Sequence, residues 1–234
     1  MNSISIIIPV LNEAKTIKAL LTYLVLNSSS KLISEILVVD GGSTDGSQEI
    51  VSEFSKTRPK VIGLNSPKGR AKQMNLGASQ SKGTVLYFLH ADSVPPKNFD
   101  QYILDAINQG SKTGCFKMKF DSNHWWLKLA GWFTQFNWKS CRGGDQSLFV
   151  DKKAFENLGG FNKDFIIYED NDLIYKLYEH YGFEVLPYWL TTSSRRYLSN
   201  GIWSLQFHFW MIHLKKFFGA TPRKLEAYYL KHIH

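Results

Sequence analysis

Polar residues able to hold a nucleotide, a cation or a proton gather at four points of this chain. Asn12 and Glu13 follow one apolar run, Asp40, Gly42 and Ser43 a second, and His90, Ala91 and Asp92 a third. Glu169 and Asp170 open an amphipathic segment that reaches about Tyr181. Carboxylates can accept N–H groups of a base, ligate a divalent cation or take a proton from an attacking hydroxyl. A single acid after a strand is usually a turn residue or a helix cap. Three clusters at successive strand ends favour a site over that reading.

The intervening residues read as alternating strands and helices. Residues 4–10 are a nearly continuous apolar run, as a strand buried on both faces requires. Residues 14–26 carry Ile17, Leu20, Leu21 and Leu24 at helical spacing. Strands are predicted over 36–39, 61–64 and 85–89, with helices from Ser43 or Thr44 toward Lys56 and over 71–79. Such βαβ units imply an α/β fold, a mostly parallel central sheet flanked by helices. Ligands of such sheets sit beyond the carboxyl ends of the strands, where these clusters fall. The second half predicts strands over 115–120, 147–150 and 183–186, an aromatic helix over 124–138 and a loop over 143–146. Residues 1–200 are expected to form one domain, with 201–234 a helical, aromatic and basic extension of it or an interfacial one.

Composition sets outer bounds. With 234 residues, 44% hydrophobic and 21% charged, the chain can bury a core and is not disordered. Cys115 and Cys141 fit neither a metal-ligand spacing nor a disulfide framework, so a reducing, cytoplasmic setting is expected. No stretch stays apolar for the ~18 residues of a spanning helix. The N-terminus lacks a basic n-region and its apolar run breaks at Pro9, unlike a signal peptide. Lys and Arg number 28 against 20 acids, a formal charge of +8 that favours anionic partners. No finger, basic heptad or aromatic RNP-like strand selects nucleic acid, and none is expected as a partner.

The order of motifs resembles glycosyltransferase family 2, inverting enzymes of the GT-A (Rossmann-like nucleotide-diphospho-sugar transferase) fold. The segments that carry the resemblance are Ile8-Pro9-Val10-Leu11-Asn12-Glu13, Val38-Val39-Asp40-Gly41-Gly42-Ser43-Thr44-Asp45-Gly46, Lys68-Gly69-Arg70-Ala71, Leu89-His90-Ala91-Asp92 and Glu169-Asp170. It spans about residues 4–197. The run from Lys68 to Asn75 and Gly144-Asp145-Gln146 resemble a compact bacterial subgroup that includes relatives glycosylating carotenoid acids.

The resemblance implies a nucleotide-diphosphate sugar as substrate, with a uridine donor as the family's suggestion, and a divalent metal, Mg²⁺ or Mn²⁺, as cofactor. It places Pro9, Asn12 and Glu13 around base and ribose. Asp40 could accept the imide N–H of uracil, with Gly41 and Gly42 allowing close backbone approach and Ser43 also expected on the nucleotide sugar. Asp45 fits turn chemistry as well as a site. Arg70 sits where the family has a cation near the nucleotide, able to fork onto phosphate oxygens. Lys68 is a mobile point charge or plain surface, and Asn75 a buttress of this loop or purely structural. Asp92 is the expected metal ligand. Where relatives commonly carry Asp-x-Asp, this chain has His90-Ala91-Asp92, and His90 either ligates the ion or hydrogen-bonds. Asp170 is the expected base. Gly144, Asp145, Gln146, Glu169, Arg195 and Arg196 are expected on the acceptor and diphosphate side. Ser193-Ser194-Arg195-Arg196-Tyr197 resembles the Gln-x-x-Arg-Trp segment of processive relatives but lacks both end residues, which favours transfer of a single sugar to a hydroxyl or carboxyl acceptor.

Trp125, Leu129, Trp132, Phe133 and Phe136 share one side of a predicted helix, and Trp203, Phe207, Trp210, Leu214 and Phe217 another. Such stripes are commonly core. With Lys215 and Lys216 beside them, they also fit a peripheral contact with the inner face of the cell membrane and a lipid-borne acceptor. Packing on the sheet or pairing in a homodimer is the competing reading. Two other functions share these motifs in part. One is a non-catalytic sugar-nucleotide binder on the same fold, which would need neither Asp92 nor Asp170. The other is a sugar nucleotidyltransferase, which would open with a glycine-rich, Arg-containing loop rather than Pro9-Val10-Leu11-Asn12-Glu13.

Overall fold

In the computed structural model, which describes residues 2–233, the first apolar run is strand β1 (Ile4–Val10), with every residue but Pro9 buried. Its residues alternate between two cores. Ile4, Ile6, Ile8 and Val10 pack with Ile17, Leu20, Leu21 and Leu24 of helix α1 (Ile17–Leu26). Ile7 faces the other way, toward Ala71 and Met74 of α3 (Arg70–Gln80). Helices on both faces explain why the strand reads as a continuous rather than alternating apolar run. Strand β2 (Ile33–Asp40), helix α2 (Ser47–Thr57), β3 (Val61–Asn65) and β4 (Val85–Phe88) complete the parallel half.

The second half returns to the same sheet. Strand β5 (Ser93–Val94), helix α4 (Phe99–Asn108), β6 (Thr113–Phe120), helix α5 (Trp125–Phe133), β7 (Leu148–Asp151), helices α6 (Lys152–Asn157) and α7 (Glu169–His180) and β8 (Glu184–Thr192) give the order β3-β2-β1-β4-β7-β6-β8-β5. β7 runs antiparallel to both β4 and β6, while β8 is parallel to β6 and antiparallel to β5. All strands but β7 and β5 therefore point one way, and the expected mostly parallel, helix-flanked sheet is met.

Some boundaries differ from the sequence reading. α1 begins at Ile17, because residues 13–16 form a turn in which Thr16 donates to the Glu13 carbonyl. The aromatic helix stops at Phe133 rather than 138: the Thr134 hydroxyl donates to the Gly131 carbonyl and accepts from the Met118 amide. β8 continues past Leu186 to Thr192 through Pro187. Its register against β6 jumps from Phe116↔Leu186 to Lys117↔Trp189, so Pro187 and Tyr188 sit in a bulge that needs no ladder donor. Helices α4 and α6 and strand β5 were not anticipated.

Helices α8 (Arg195–Asn200), α9 (Ile202–Phe217) and α10 (Pro222–His232) follow. Leu205, Ile212, Leu225 and Ile233 form a third core with Leu127, Phe165, Ile167 and Tyr197, which fastens the α9–α10 hairpin to the rest of the chain. No helix among the described residues is long and apolar enough to cross a membrane.

Candidate active site

Parallel register brings the ends of β1, β2 and β3 level, with Val10 opposite Asp40 and Asp40 opposite Asn65. The loops beyond them are tied to each other. Buried Gln73 on α3 donates to the Val10 and Val39 carbonyls at 2.8 and 2.7 Å. The Asn12 amide donates to Ser43 Oγ and the Asn12 side chain accepts from the Thr44 amide, at 2.8 and 2.9 Å. Asp45 accepts from the Ala14 amide and from Ser47, the turn and capping role its sequence allows. Asp40 is 6% exposed. Burial would raise its carboxyl, but hydrogen bonds from Ser43, Gln48 and the Gly42 amide hold it below the usual range. Gly42 supplies the left-handed backbone of that turn at φ 95°. A cavity of 330 Å³ opens beside Asp40, lined also by Gln48, Ser52 and Asn65. The Asp40 Oδ2 atom, bonded only to the Ser43 hydroxyl, keeps spare acceptor capacity.

Two linked charge clusters stand beyond the central strands. In the first, Arg70 lies 2.9 Å from Glu169 Oε1 and 3.6 Å from Asp170 Oδ2. Its Nη1 is 3.4 Å from His90 Nε2, and His90 Nδ1 is 3.5 Å from Asp145. Burial pushes the Glu169 carboxyl up against the opposing pull of Arg70, and neither of its oxygens receives an aligned hydrogen bond. For His90, burial and the Arg70 charge lower the pKa, but the bond to Asp145 and the charges of Asp170 and Asp145 together outweigh them, and the net shift is upward. Asp145 responds in the opposite sense. Burial would raise it, but the His90 bond and the charges of His90, Arg70 and Arg196 bring it down to about 2.

In the second cluster Arg195 forks onto both oxygens of Glu13 and lies 3.3 Å from Asp92. The backbone explains the meeting. The Ser193 amide donates to the Asp92 carbonyl, Ser93 and Thr192 hydroxyls pair across β5 and β8, and Asp121 accepts the Ser194 amide. Burial raises the Asp92 carboxyl, with Asp145 and Glu13 adding to it and His90 and Arg195 opposing.

Asp170 lines a cavity of 160 Å³ with Arg70, Asp145, Tyr168 and Arg196. A Cβ on Gly144 would lie 1.9 Å from Asp170 Oδ2, so only glycine lets this loop pass under the carboxylate. Tyr168, just before α7, has φ 75°, and Asn12 and Ser147 are likewise left-handed beside the cleft. The remaining wall was not foreseen: Phe209, Ile212 and His213 of α9 and Tyr229 of α10 close the cavity. Arg196 donates to the Tyr229 hydroxyl at 2.6 Å and lies over the Phe209 and Tyr229 rings.

Several expected residues lie elsewhere. Asn75 spends its amide on the Phe161 carbonyl and amide at 2.7 and 3.0 Å, which makes it a structural clamp rather than a nucleotide contact. Gln146 points inward, accepting from Arg142 and donating to the Cys141 carbonyl, rather than facing a diphosphate. Lys68 is exposed on the loop before α3, Pro9 lies in β1 opposite Val39, and Ala91 is buried beside the rim. Arg142 was missed. Its buried guanidinium holds the carbonyls of Thr134 and Phe136 and so shapes the loop that carries Gly144 and Asp145.

Among the described residues no group of three or more His, Cys, Asp or Glu side chains is gathered as a metal cage. Asp92 nevertheless suits a hard divalent ion that takes most of its oxygens from a diphosphate and water. Its carboxyl is raised by burial, with further negative charge from Asp145 and Glu13, which an incoming cation would relieve. His90, engaged by Arg70 and Asp145, is placed to hydrogen-bond rather than to ligate.

Residues 5–160 match the family described as Glycosyl transferase family 2. The chain is 34% identical over 113 residues to Glycosyltransferase AglE of Haloferax volcanii, covering 47% of this chain and 36% of that one. It is 27% identical over 190 residues to Succinoglycan biosynthesis protein ExoA of Rhizobium meliloti, covering 74% and 57%. The chain spans about half the length of the curated relatives it matches. Among solved structures it superposes on a mannosyltransferase from Pyrobaculum calidifontis in complex with GDP-Man and Mn²⁺, with a TM-score of 0.73 at 17% identity over 97% of this chain and 69% of that one. TarS 1-349 of S. aureus in complex with UDP gives 0.64 at 20% identity over 82% and 60%. At these identities the likeness shows a shared fold, GT-A.

Proposed function

The chain belongs to glycosyl transferase family 2, and on that footing we propose that it transfers one sugar, with inversion, from a nucleotide-diphosphate sugar to a hydroxyl or carboxyl acceptor. The observation that carries this reading is the cavity under Gly144, where Asp170 stands among Arg70, Asp145 and Arg196. A carboxylate for the acceptor proton and guanidinium groups for a diphosphate share one space. Asp170 takes the proton while the acceptor oxygen attacks the anomeric carbon. The bond from that carbon to the diphosphate breaks on the opposite face, and the nucleoside diphosphate leaves with the electron pair. Arg70 pairs with Asp170 here; a phosphate oxygen competing for that guanidinium would leave the carboxylate free to act as base.

Asp40 and the adjoining cavity support uracil as the base, since a free carboxylate lone pair suits an imide donor. A divalent ion at Asp92 would supply charge stabilisation for the leaving diphosphate. Arg195, now on Asp92 and Glu13, is the residue whose position must adjust to it. The aromatic wall of Tyr168, Phe209 and Tyr229 supports an acceptor with an apolar or sugar-ring face. The two free cysteines support a cytoplasmic setting.

The test is a screen of UDP-, GDP- and dTDP-sugars, with and without Mn²⁺, for thermal stabilisation and for release of nucleoside diphosphate. Binding to the folded state raises the melting temperature, so the donor stands out. Asp170→Asn is expected to retain that stabilisation while release falls by roughly 10²–10⁴-fold. Turnover at the wild-type rate in Asp170→Asn overturns the assignment of the base.

A further inference from the structure

Helix α9 presents two faces of different character. One lines the Asp170 cavity through Phe209, Ile212 and His213. Turned well away from it lie Trp203, Phe207, Trp210, Leu214 and Phe217, at the 4-3-4-3 spacing of a single stripe. These residues are all exposed. Phe207 and Trp210 are more than half exposed, and Phe217 and Phe218 are 83% and 77% exposed. The Trp126 ring meets both Trp203 and Trp210, which extends the apolar surface onto α5, where Trp125 is also exposed. An apolar surface this continuous marks an interaction site.

A second feature adjoins the stripe. Between α9 and α10 an open groove of 610 Å³ is lined by Met211, Leu214, Phe218 and Ala227, with Lys215 and Lys224 at its edge. Residues 201–234 contain Lys215, Lys216, Arg223, Lys224 and Lys231 against one acid, Glu226. The Lys215 and Lys216 ammonium groups lie over the Tyr228 and Phe165 rings, so positive charge and aromatic surface meet at this end of the hairpin. An apolar groove edged by cations fits an amphiphile with an anionic head, and a tryptophan-rich stripe beside it fits the headgroup boundary of a bilayer.

We propose that the α9–α10 hairpin docks on an anionic bilayer surface, with the aromatic stripe and Phe217–Phe218 turn in the headgroup region and the lysines on the lipid phosphates. Because the same helix walls the Asp170 cavity, docking brings that cavity to an acceptor carried in the bilayer; this consequence, unlike the docking, rests on the transferase reading.

The experiment is co-sedimentation of the full chain with vesicles of 30% phosphatidylglycerol in phosphatidylcholine, against pure phosphatidylcholine, with tryptophan emission recorded. Binding to the anionic vesicles with a blue shift, weakened at high salt, is expected. Phe207→Ser/Phe217→Ser/Phe218→Ser should weaken it at least tenfold with an unchanged melting temperature, since these side chains support no core. Lys215→Glu/Lys224→Glu should weaken it selectively on anionic vesicles. Absence of binding at low salt, or a triple variant that binds like the wild type, overturns the proposal. So does a wild-type dimer in light scattering that the triple variant splits without any vesicle binding, since the stripe then joins two copies. Donor hydrolysis without vesicles separates the two readings. Hydrolysis without vesicle binding refutes docking alone, and vesicle binding without any hydrolysis leaves docking standing while the transferase reading fails.

Discussion

A base must be held near the hydroxyl whose proton it takes, and at Asp170, the base we propose, the hold is steric as well as electrostatic. Gly144 passes so close that any side chain would displace the carboxylate. Gly144→Ala is therefore expected to lower kcat by roughly 10²-fold, the scale of a misplaced catalytic group, with nucleotide affinity unchanged by titration calorimetry. Glu169, its neighbour, behaves differently. Its carboxyl is raised by burial, so the folded state binds its proton more tightly than the unfolded chain does. The stability this gives is present below the ordinary carboxyl pKa of about 4.3 and is lost as pH rises through the raised value. Glu169→Gln, which cannot ionise, should lose less melting temperature than the wild type between pH 4 and pH 8. Equal slopes in thermal scans would refute this. The Glu-Asp pair was legible in the sequence, with Asp170 expected as the base, but the burial of Glu169 was not, because two neighbours leave the same helix start at different depths.

Elements matter here through what they tie together. The segment before α8 is stitched to Asp92 and β5 by Ser193 and Thr192 and to the end of β6 by Asp121, which delivers Arg195 to Asp92 and Glu13. The loop carrying Gly144 and Asp145 hangs on Arg142, whose buried guanidinium satisfies carbonyls that no helix or strand pairs. Arg142→Met keeps the apolar stem and orphans the Thr134 oxygen, while the Phe136 oxygen keeps only the Trp138 amide. We expect a loss of about 3 kcal/mol, read as a fall of roughly 6–12 °C in Tm, with Asp145 and Asp170 losing their relation. A sequence marks Arg142 only as one more basic residue, since its partners are backbone carbonyls and the uncharged side chains of Gln146 and Cys115, and no acid signals a pair. Gln146 misled for a like reason: a polar side chain beside a motif serves the protein's own groups as readily as a ligand.

On the scale of the molecule, Phe209 and Tyr229 of the C-terminal hairpin wall the Asp170 cavity while Leu205 and Leu225 anchor them. Loosening the anchor should impair transfer before it touches the donor end. Leu225→Ala is expected to cost about 2–4 kcal/mol, with proteolysis appearing around residues 200–222 and transfer falling more than tenfold. Nucleotide affinity should stay within about twofold. Cleavage confined to other segments would count against an independently anchored hairpin. The sequence alone determined the alternation of strand and helix, the direction of most strands and the acids at their ends. Those follow from local periodicity and from the two-sided burial of a parallel sheet, both written in consecutive residues. Only the tertiary structure decided which face of α9 meets solvent, which residues complete the cavity and which cations sit on Asp92 and Asp170. Each depends on how distant segments pack, and an apolar stripe is the same string of letters whether its partner is a core, a second chain or a bilayer.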